Sequence, residues 1–145
     1  RSGFVAGDAE ILKPFLLYRT YHGSAMGLAV QNASIAAWKD EAHVVANRRQ
    51  YREKFDAVTP RLAGVLGTRM PDASFYLWAK TSIPDTEFAR ELSADYNVSV
   101  LPGSFLAREA RGVNPGAGFV RIALVAPLAD CLEAADRIQQ FVSKL

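Results

Sequence analysis

The chain has 145 residues, about the size of one domain, and 50% of them are hydrophobic, which is enough for a packed core. A formal net charge of +2, without a basic stripe interleaved with aromatics, argues against a nucleic-acid-binding protein. The single cysteine excludes an internal disulfide and a cysteine zinc cluster, and it favours a reducing, cytoplasmic setting. No apolar run reaches the roughly 20 residues that cross a bilayer, and no signal-peptide pattern is present, so no membrane partner is expected.

The first 27 residues are predicted to contain the end of a strand, one helical region and a loop. The chain opens on "RSGFVAGD" without an initiator methionine, and residues 3–6 are typical of the end of a strand that began earlier in a longer protein. Asp8 can cap a helix through its carboxylate, and Pro14 should kink that helix or divide it into two short pieces. The stretch "YHGSAMG", residues 21–27, is predicted to be a loop.

Two further helices are predicted before residue 67. The first covers residues 28–38, and Asp40 is the expected N-cap of a longer second helix that ends at Gly67. Pro60 should bend this second helix. Its buried face is indicated by apolar residues that recur at spacings of three, four or seven: Val44, Tyr51, Phe55, Val58, Leu62 and Val65.

The second half of the chain alternates between strand and helix patterns. The predicted elements are a strand at 73–80, a helix at 85–96, a strand at 98–106 that runs into a Pro-Gly turn, a strand at 119–125 and a helix from 128 to about 142. A glycine-rich loop, residues 112–118, precedes the last strand. This order predicts an α+β fold, in which long helices pack on a small mixed sheet.

Several residue types that often carry chemistry form no catalytic or metal-binding pattern here. His22 and His43 lack companion ligands at the spacing of a metal site, so no metal is expected. Ser24 and Ser104 lie outside any nucleophile-elbow pattern, and the glycines of the loop before residue 119 are not followed by the Lys-Ser/Thr of a phosphate loop. Cys131 borders the apolar face of the last helix, which favours a small core residue over a nucleophile.

Arg121 is the residue that most requires an explanation, because it interrupts the apolar strand at 119–125. Side chains alternate along a strand, so Val120 and Ile122 should face one way and Arg121 the other. An arginine cannot shed its proton, and burying it without a partner is costly, so an anion must meet it. That anion is either one of the chain's own carboxylates or a small acid from outside, which a guanidinium can bind through two parallel hydrogen bonds.

Four stretches together resemble one protein family. "RSGFVAGD", "PDASFYLW", "VSVLPGSFL" and "GFVRIAL" occur in this order and at suitable distances, as in the carboxy-terminal part of class I/II pyridoxal-phosphate-dependent aminotransferases of fold type I. The resemblance covers essentially all 145 residues. Within the family, "YRTYHG" and "AREARGVNPGAG" are most similar to the bacterial succinyldiaminopimelate transaminases of lysine biosynthesis.

The resemblance implies a role for two arginines. The family's cofactor-phosphate arginine matches Arg1, and its substrate α-carboxylate arginine matches Arg121, which implies an external anion. The lysine that holds pyridoxal phosphate as a Schiff base lies shortly before the phosphate arginine in the family, so it is expected upstream of Arg1, with no catalytic residue in this segment. Residues 1–27 are then the end of the large domain with the interdomain segment, and residues 28–145 the small, substrate-binding domain.

The resemblance also implies amino-acid and 2-oxo-acid substrates and a homodimer. In the family, residues near the loop at 21–27 reach the neighbouring subunit, so His22 and Ser24 are candidates for contact with the partner's substrate, or else belong to an ordinary surface loop. The loop before residue 119 offers Arg108 and Arg111 for the distal carboxylate of a long substrate, unless both are solvated charges. An aminotransferase for another amino acid and a non-catalytic α+β binding module remain as alternatives.

Overall fold

The computed structural model describes residues 2–145, which form helices and one small three-stranded sheet. The helices are α1 Ala9–His22, α2 Leu28–Lys39, α3 Ala42–Leu66, α4 Asp85–Tyr96, α5 Gly103–Leu106 and α6 Leu128–Val142. The strands are β1 Tyr76–Lys80, β2 Leu101–Pro102 and β3 Phe119–Ala123. The chain forms two compact units, Arg1–Ala46 and Asn47–Leu145. None of the helices in the described range is long and apolar enough to cross a membrane.

Helix α1 begins where its capping residue predicts. A carboxylate oxygen of Asp8 accepts a hydrogen bond from the backbone N–H of Glu10 at 2.8 Å, which satisfies one of the free donors at the helix start. Pro14 lies within α1, and the helix continues past it to His22, so Pro14 does not divide the helix into two pieces. The alternative, a kink at Pro14, stays a prediction. One missing backbone N–H is tolerated in a helix of 14 residues. The predicted loop at 21–27 therefore begins only at Gly23.

The segment before α1 packs on α2 and forms no strand, so the strand end predicted at residues 3–6 is wrong. The ring of Phe4 makes an edge contact with Trp38 of α2, with centroids 5.4 Å apart. The hydroxyls of Ser2 and Ser34 are hydrogen-bonded at 2.5 Å. These side-chain contacts take the place of the backbone pairing that a strand needs. Helix α2 itself forms close to the predicted range.

The long helix α3 is capped and ended as predicted. A carboxylate oxygen of Asp40 accepts a hydrogen bond from the N–H of Ala42 at 3.0 Å, and Gly67 follows the last turn with a φ of +60°. Pro60 lies inside the helix without ending it. The buried residues of α3 are Phe55, Val58, Thr59, Leu62 and Leu66. Val65 is 36% exposed, which corrects the predicted stripe, because the 3.6-residue period places Leu66 below Leu62.

The three strands form a sheet in the order β1-β3-β2, with both pairings antiparallel. The α+β class is confirmed, but the sheet is antiparallel and not mixed. Helix α4 carries the chain from β1 to β2, so these two strands run in the same direction at opposite edges. Strand β3 lies between them in the opposite direction, and no parallel neighbours result within the described sheet.

Strand β2 is much shorter than the predicted strand at 98–106. Only Leu101 and Pro102 pair with β3, since a proline has no N–H to extend the ladder, and Gly103–Leu106 turn into the short helix α5. The predicted strands at 73–80 and 119–125 are observed with trimmed ends, as β1 and β3. Helices α4 and α6 match their predicted ranges.

The core lies between one face of the sheet and the helices α3, α4 and α6. Its largest fully buried side chains are Phe88, Leu62, Leu77, Leu92, Leu124, Ile138, Val58 and Val120. Cys131 is 6% exposed within this core, and its thiol donates to the carbonyl oxygen of Ala126 at 3.4 Å. Burial raises the pKa of the Cys131 thiol, which agrees with its interpretation as a small core residue.

Candidate anion-binding site around Arg121

Arg121 occupies the middle of the central strand, β3, on the face that points away from the core. Its neighbours Val120 and Ile122 are 0% and 7% exposed and belong to the core, whereas Arg121 is half-buried on the other side. The alternation that the sequence predicts is therefore confirmed. A central strand has paired neighbours on both sides, so the backbone that carries the guanidinium is held firmly.

Aromatic side chains frame the guanidinium. Trp78 on β1 lies directly opposite Arg121, as does Leu101 on β2, and residues that face each other across antiparallel strands share one face. The Trp78 ring stacks on Phe119, with centroids 5.7 Å apart and the planes 14° from parallel. The guanidinium carbon of Arg121 lies 5.5 Å from the centroid of the Tyr76 ring. The site thus combines one fixed cation with apolar, aromatic walls.

The guanidinium has no acidic partner within residues 2–145. None of the ion pairs found in that range includes Arg121, and its buried Nε has no hydrogen-bond partner there. A buried donor left without a partner costs about 1–3 kcal/mol, so the arrangement favours an acceptor supplied by another molecule. Of the two explanations that the sequence left open, the described structure does not support the internal carboxylate.

Two glycines bring the backbone of the turn after β2 against the glycine-rich loop before β3. A Cβ added to Gly116 would lie 2.1 Å from the carbonyl oxygen of Gly103, and one added to Gly103 would lie 2.3 Å from that of Gly116. Both distances are far shorter than a carbon–oxygen contact allows, so this approach requires glycine at both positions. The two segments that flank Arg121 are therefore packed backbone to backbone.

Asp85, the first residue of α4, ties the same two segments together. Its carboxylate is buried, with the residue 5% exposed, and it accepts hydrogen bonds from the N–H of Ser104 at 2.9 Å and of Gly118 at 3.2 Å. Burial raises the pKa of the Asp85 carboxyl, but the hydrogen bonds from Ser104 and Gly118 lower it more, and the pKa lies below its ordinary value. Sequence reasoning used this residue only as a helix start, because no local pattern reveals partners 19 and 33 residues away.

Asn114 adds a second tie inside the glycine-rich loop. Its side-chain amide donates to the carbonyl oxygen of Ser104 at 3.0 Å, and its amide oxygen accepts from the N–H of Gly116 at 2.9 Å. The "NPGAG" stretch is thus a built support for β3.

The structure places the other predicted residues in separate parts of the chain. Arg1 lies outside the described residues. His22 ends α1 and stacks on Tyr18 with ring centroids 4.5 Å apart, and Ser24 lies in the segment that follows. Both are exposed and belong to the first unit, whereas Arg121 belongs to the second. Their contact with a partner's substrate stays a prediction.

Arg108 and Arg111 are exposed in the loop between α5 and β3. Ala110 and Val113 exchange backbone hydrogen bonds of 2.9 and 3.1 Å, which makes Arg111 and Gly112 a two-residue hairpin turn. Both turn residues have positive φ, +54° and +75°, a conformation that arginine rarely adopts. The side chain of Arg111 therefore sits at the tip of a short, defined turn.

The described residues offer little else for a cofactor or a metal. Across residues 2–145, no group of three or more His, Cys, Asp or Glu side chains could hold a metal ion. The amine of Lys54 donates to the carbonyl oxygens of Leu124 and Val125 at 3.0 and 3.4 Å, so it braces α3 against the end of β3. The site around Arg121, whose guanidinium is unpaired within residues 2–145, suits a small carboxylate.

Several known proteins that are similar to this chain are aminotransferases. An LL-diaminopimelate aminotransferase of Maridesulfovibrio salexigens is 31% identical over 144 residues, which are 97% of this chain and 36% of that protein. An aminotransferase structure from Neisseria meningitidis is 59% identical with a TM-score of 0.82, and the match covers 98% of this chain and 36% of that one. A probable N-succinyldiaminopimelate aminotransferase from Thermus thermophilus is 42% identical with a TM-score of 0.51, over 63% of this chain and 24% of that one.

The chain spans about a third of the length of the curated relatives that it matches. The family model for aminotransferase class I and II matches residues 1–138, and this family is pyridoxal-phosphate-dependent. The family-model match and the Neisseria structure each cover nearly the whole chain, and the structural neighbours are fold type I aminotransferases. The chain belongs to the class I and II aminotransferase family.

Proposed function

We propose that this chain is the substrate-binding, C-terminal part of a pyridoxal-phosphate-dependent aminotransferase. In this proposal Arg121 binds the α-carboxylate of the amino donor and, in turn, that of the 2-oxo acid acceptor. The observation that carries it is the half-buried guanidinium on the central strand, which has no acid partner within residues 2–145 and leaves its Nε unsatisfied. Membership of the aminotransferase family supports the same reading.

Arg121 would act by orientation. A guanidinium presents a planar fork that matches a carboxylate through two parallel N–H···O bonds, which fixes both the position and the plane of the bound acid. Holding the acid in this way aligns its α-carbon with the cofactor, and such positioning lowers the activation barrier without any bond being made by the arginine. Since donor and acceptor both carry the same carboxylate, one site serves both halves of the transfer.

The cofactor would supply the electron sink for the reaction when bound. In this chain we assign Arg1 to the cofactor phosphate on the resemblance. The covalent lysine is proposed to lie upstream of Arg1. Among the lysines of this chain, Lys54 is already bound to backbone carbonyls in the second unit, which makes it a poor alternative.

For the substrate pair we propose N-succinyl-LL-2,6-diaminopimelate and 2-oxoglutarate, in lysine biosynthesis in the cytoplasm. The name of the Thermus relative and the stretches "YRTYHG" and "AREARGVNPGAG" support this choice. The second candidate is LL-diaminopimelate, after the name of the Maridesulfovibrio relative. Values of kcat/KM for the two acids, measured with the full-length enzyme and the same 2-oxoglutarate, decide between them.

The proposal also includes the assembly and its domains. Residues 1–27 would complete the large domain and the interdomain segment, and residues 28–145 would form the small domain. The enzyme would be a homodimer in which His22 and Ser24 approach the partner's substrate. Sedimentation of the full-length enzyme tests the dimer, and a structure with a bound dicarboxylate tests the contacts.

The experiment for the central claim replaces Arg121 by lysine in the full-length enzyme. Lysine keeps the charge but loses the bidentate fork, so KM for both the amino donor and 2-oxoglutarate should rise at least about tenfold. Arg61→Lys is the matched control, because Arg61 is an exposed arginine that pairs with Asp136 across two helices. Unchanged KM values in Arg121→Lys would refute the proposed role of Arg121 in substrate binding.

A further inference from the structure

We infer that Asp85 is a positioning residue for substrate binding: its buried carboxylate joins the turn after β2 to the loop before β3 and so sets where Arg121 presents its guanidinium. This inference rests on the proposed function of Arg121. It concerns a residue that touches neither the guanidinium nor the bound acid and acts through the backbone on either side of β3.

The two hydrogen bonds of Asp85 end close to Arg121 along the chain. Gly118, whose N–H donates to one carboxylate oxygen, lies three residues before Arg121. Ser104, whose N–H donates to the other oxygen, lies three residues after Leu101, which is paired with Arg121 across the sheet. The carboxylate of Asp85 therefore binds the backbone just after β2 and just before β3, next to the residues through which the two strands pair.

Both backbone polar groups of Gly118, its N–H and its carbonyl oxygen, are hydrogen-bonded. Its N–H donates to Asp85, and its carbonyl oxygen accepts a hydrogen bond from the N–H of Thr81 at 2.8 Å, just after β1 ends. With a φ of +76°, Gly118 also lies in the left-handed region that favours glycine. The residue just before β3 is thus hydrogen-bonded both to α4, through the carboxylate of Asp85, and to the residue that follows β1.

The charge of Asp85 is held by backbone donors. Within residues 2–145 it takes part in none of the ion pairs, and it lies at the first residue of α4, where the helix dipole favours a negative charge. A buried carboxylate that relies on two N–H groups tolerates little displacement of either, because losing one leaves the charge short of a donor. An apolar residue would fill the space without imposing this geometry.

The test replaces Asp85 by asparagine in the full-length enzyme. Asparagine has nearly the same shape, but its NH₂ group cannot accept, so one of the two backbone N–H groups loses its partner. We expect KM for both the amino donor and 2-oxoglutarate to rise by about tenfold to a hundredfold, since small misplacements of a positioning group have effects of this size. The kcat should also fall, because a displaced guanidinium no longer aligns the α-carbon of the bound acid with the cofactor.

The matched control is Asp136→Asn, which also removes one carboxylate charge but from an exposed ion pair with Arg61. Its KM values should equal those of the wild type. A purely structural role of Asp85 predicts a lower melting temperature without this rise in KM. A melting shift with unchanged KM values would therefore overturn the inference.

A double variant separates action through Arg121 from an independent effect. In the Arg121→Lys background the arginine fork is already lost, so Asp85→Asn should raise KM by less than about threefold further. If the KM increase of the double variant equals the product of the two single increases, the two residues act independently and the inference is overturned. If Asp85→Asn does not fold, Asn114→Ala replaces it, since Asn114 binds Ser104 from the other side of the same turn. It should raise KM in the same direction, and an unchanged value counts against the inference.

The outcomes also distinguish this inference from the proposed function. If Arg121→Lys raises KM and Asp85→Asn does not, Arg121 keeps its role and only the positioning by Asp85 fails. If Arg121→Lys leaves KM unchanged, the proposed function fails, and the inference about Asp85 fails with it. Both the proposed function and the inference are supported if each single variant raises KM and the KM increase of the double variant is smaller than the product of the two single increases.

Discussion

The guanidinium of Arg121 lies over the ring of Tyr76, with 5.5 Å between the guanidinium carbon and the ring centroid. Tyr76 begins β1 and is paired with Ala123, so it reaches Arg121 diagonally across the β1–β3 pair. A ring face attracts a cation and also supports the flat guanidinium from one side. The contact covers one face of the guanidinium and leaves its edge, which carries the N–H groups, free of the ring.

This contact predicts a graded effect of Tyr76 variants on carboxylate binding. Tyr76→Leu removes the ring and should raise KM for 2-oxoglutarate by about threefold to fivefold, which corresponds to roughly 0.5–1 kcal/mol for such a contact. Tyr76→Phe keeps the ring and is the matched control, with KM close to that of the wild type. Steady-state kinetics of the full-length enzyme measure both, and equal losses in the two variants would assign the effect to the hydroxyl.

Alanine should have opposite effects on stability at Gly116, which is packed closely against Gly103, and at Gly64, which is surrounded by open space. A Cβ at Gly116 would lie 2.1 Å from a backbone oxygen, so Gly116→Ala should lower the free energy of unfolding by at least about 1–3 kcal/mol. Gly64 is exposed inside α3 with open space around it, so Gly64→Ala should instead stabilise by about 0.5–1 kcal/mol. Thermal melting of the full-length enzyme compares them, and a wild-type melting temperature for Gly116→Ala would contradict the packing of this loop.

The lowered pKa of Asp85 predicts a pH-dependent contribution to stability. Burial opposes the charge, but the hydrogen bonds from Ser104 and Gly118 bring the folded pKa below the ordinary value of 3.8. A depressed folded pKa gives a stabilisation that is present above the unfolded value and is lost as the pH falls through the folded pKa.

Asp85→Asn should therefore melt at a lower temperature than the wild type by a constant amount at neutral pH, and the gap should narrow only below about pH 4. Melting curves between pH 8 and pH 3 provide the measurement. Asp136→Asn serves for comparison, since an exposed ion pair contributes little and should show a small gap throughout. A gap for Asp85→Asn that stays the same down to pH 3 would show that its charge does not cause the stabilisation.

Local patterns predicted the elements whose causes are local. Helices α4 and α6 were placed correctly because their apolar spacing lies within the helices themselves. The outward position of Arg121 followed from alternation along five residues of β3. By contrast, the strand order depends on which strand inserts between two others, and no residue pattern within a single strand carries that information.

The features that build the site are mostly non-local, and the sequence did not reveal them. The strand predicted at 98–106 is short because Gly103–Leu106 form a helix. The backbone N–H of Ser104 in this helix is bound by Asp85, which lies 19 residues earlier in the chain. The same carboxylate reaches Gly118 across 33 residues. Pairings at such distances depend on the finished fold, so sequence reasoning identified Arg121 but not the residue that we infer positions it.

The exposed turn at Arg111 leads to the last prediction, which concerns substrate length. N-succinyl-LL-2,6-diaminopimelate has a distal carboxylate that Arg121 cannot hold together with the reacting end. Arg111 sits at the tip of a two-residue turn with a φ of +54°, and its side chain is exposed there. Arg108 lies on the same loop and is also exposed.

Arg111→Asn removes the cation with a residue that suits the left-handed backbone, so the turn itself should persist. If Arg111 binds the distal acid, kcat/KM for the succinylated substrate should fall by about tenfold, the value of one charge-assisted hydrogen bond, while that for glutamate stays the same. Arg108→Ala, tested in parallel, shows which arginine is responsible. Equal losses for long and short donors would indicate a disturbed fold, and no loss for either would identify both arginines as solvated surface charges.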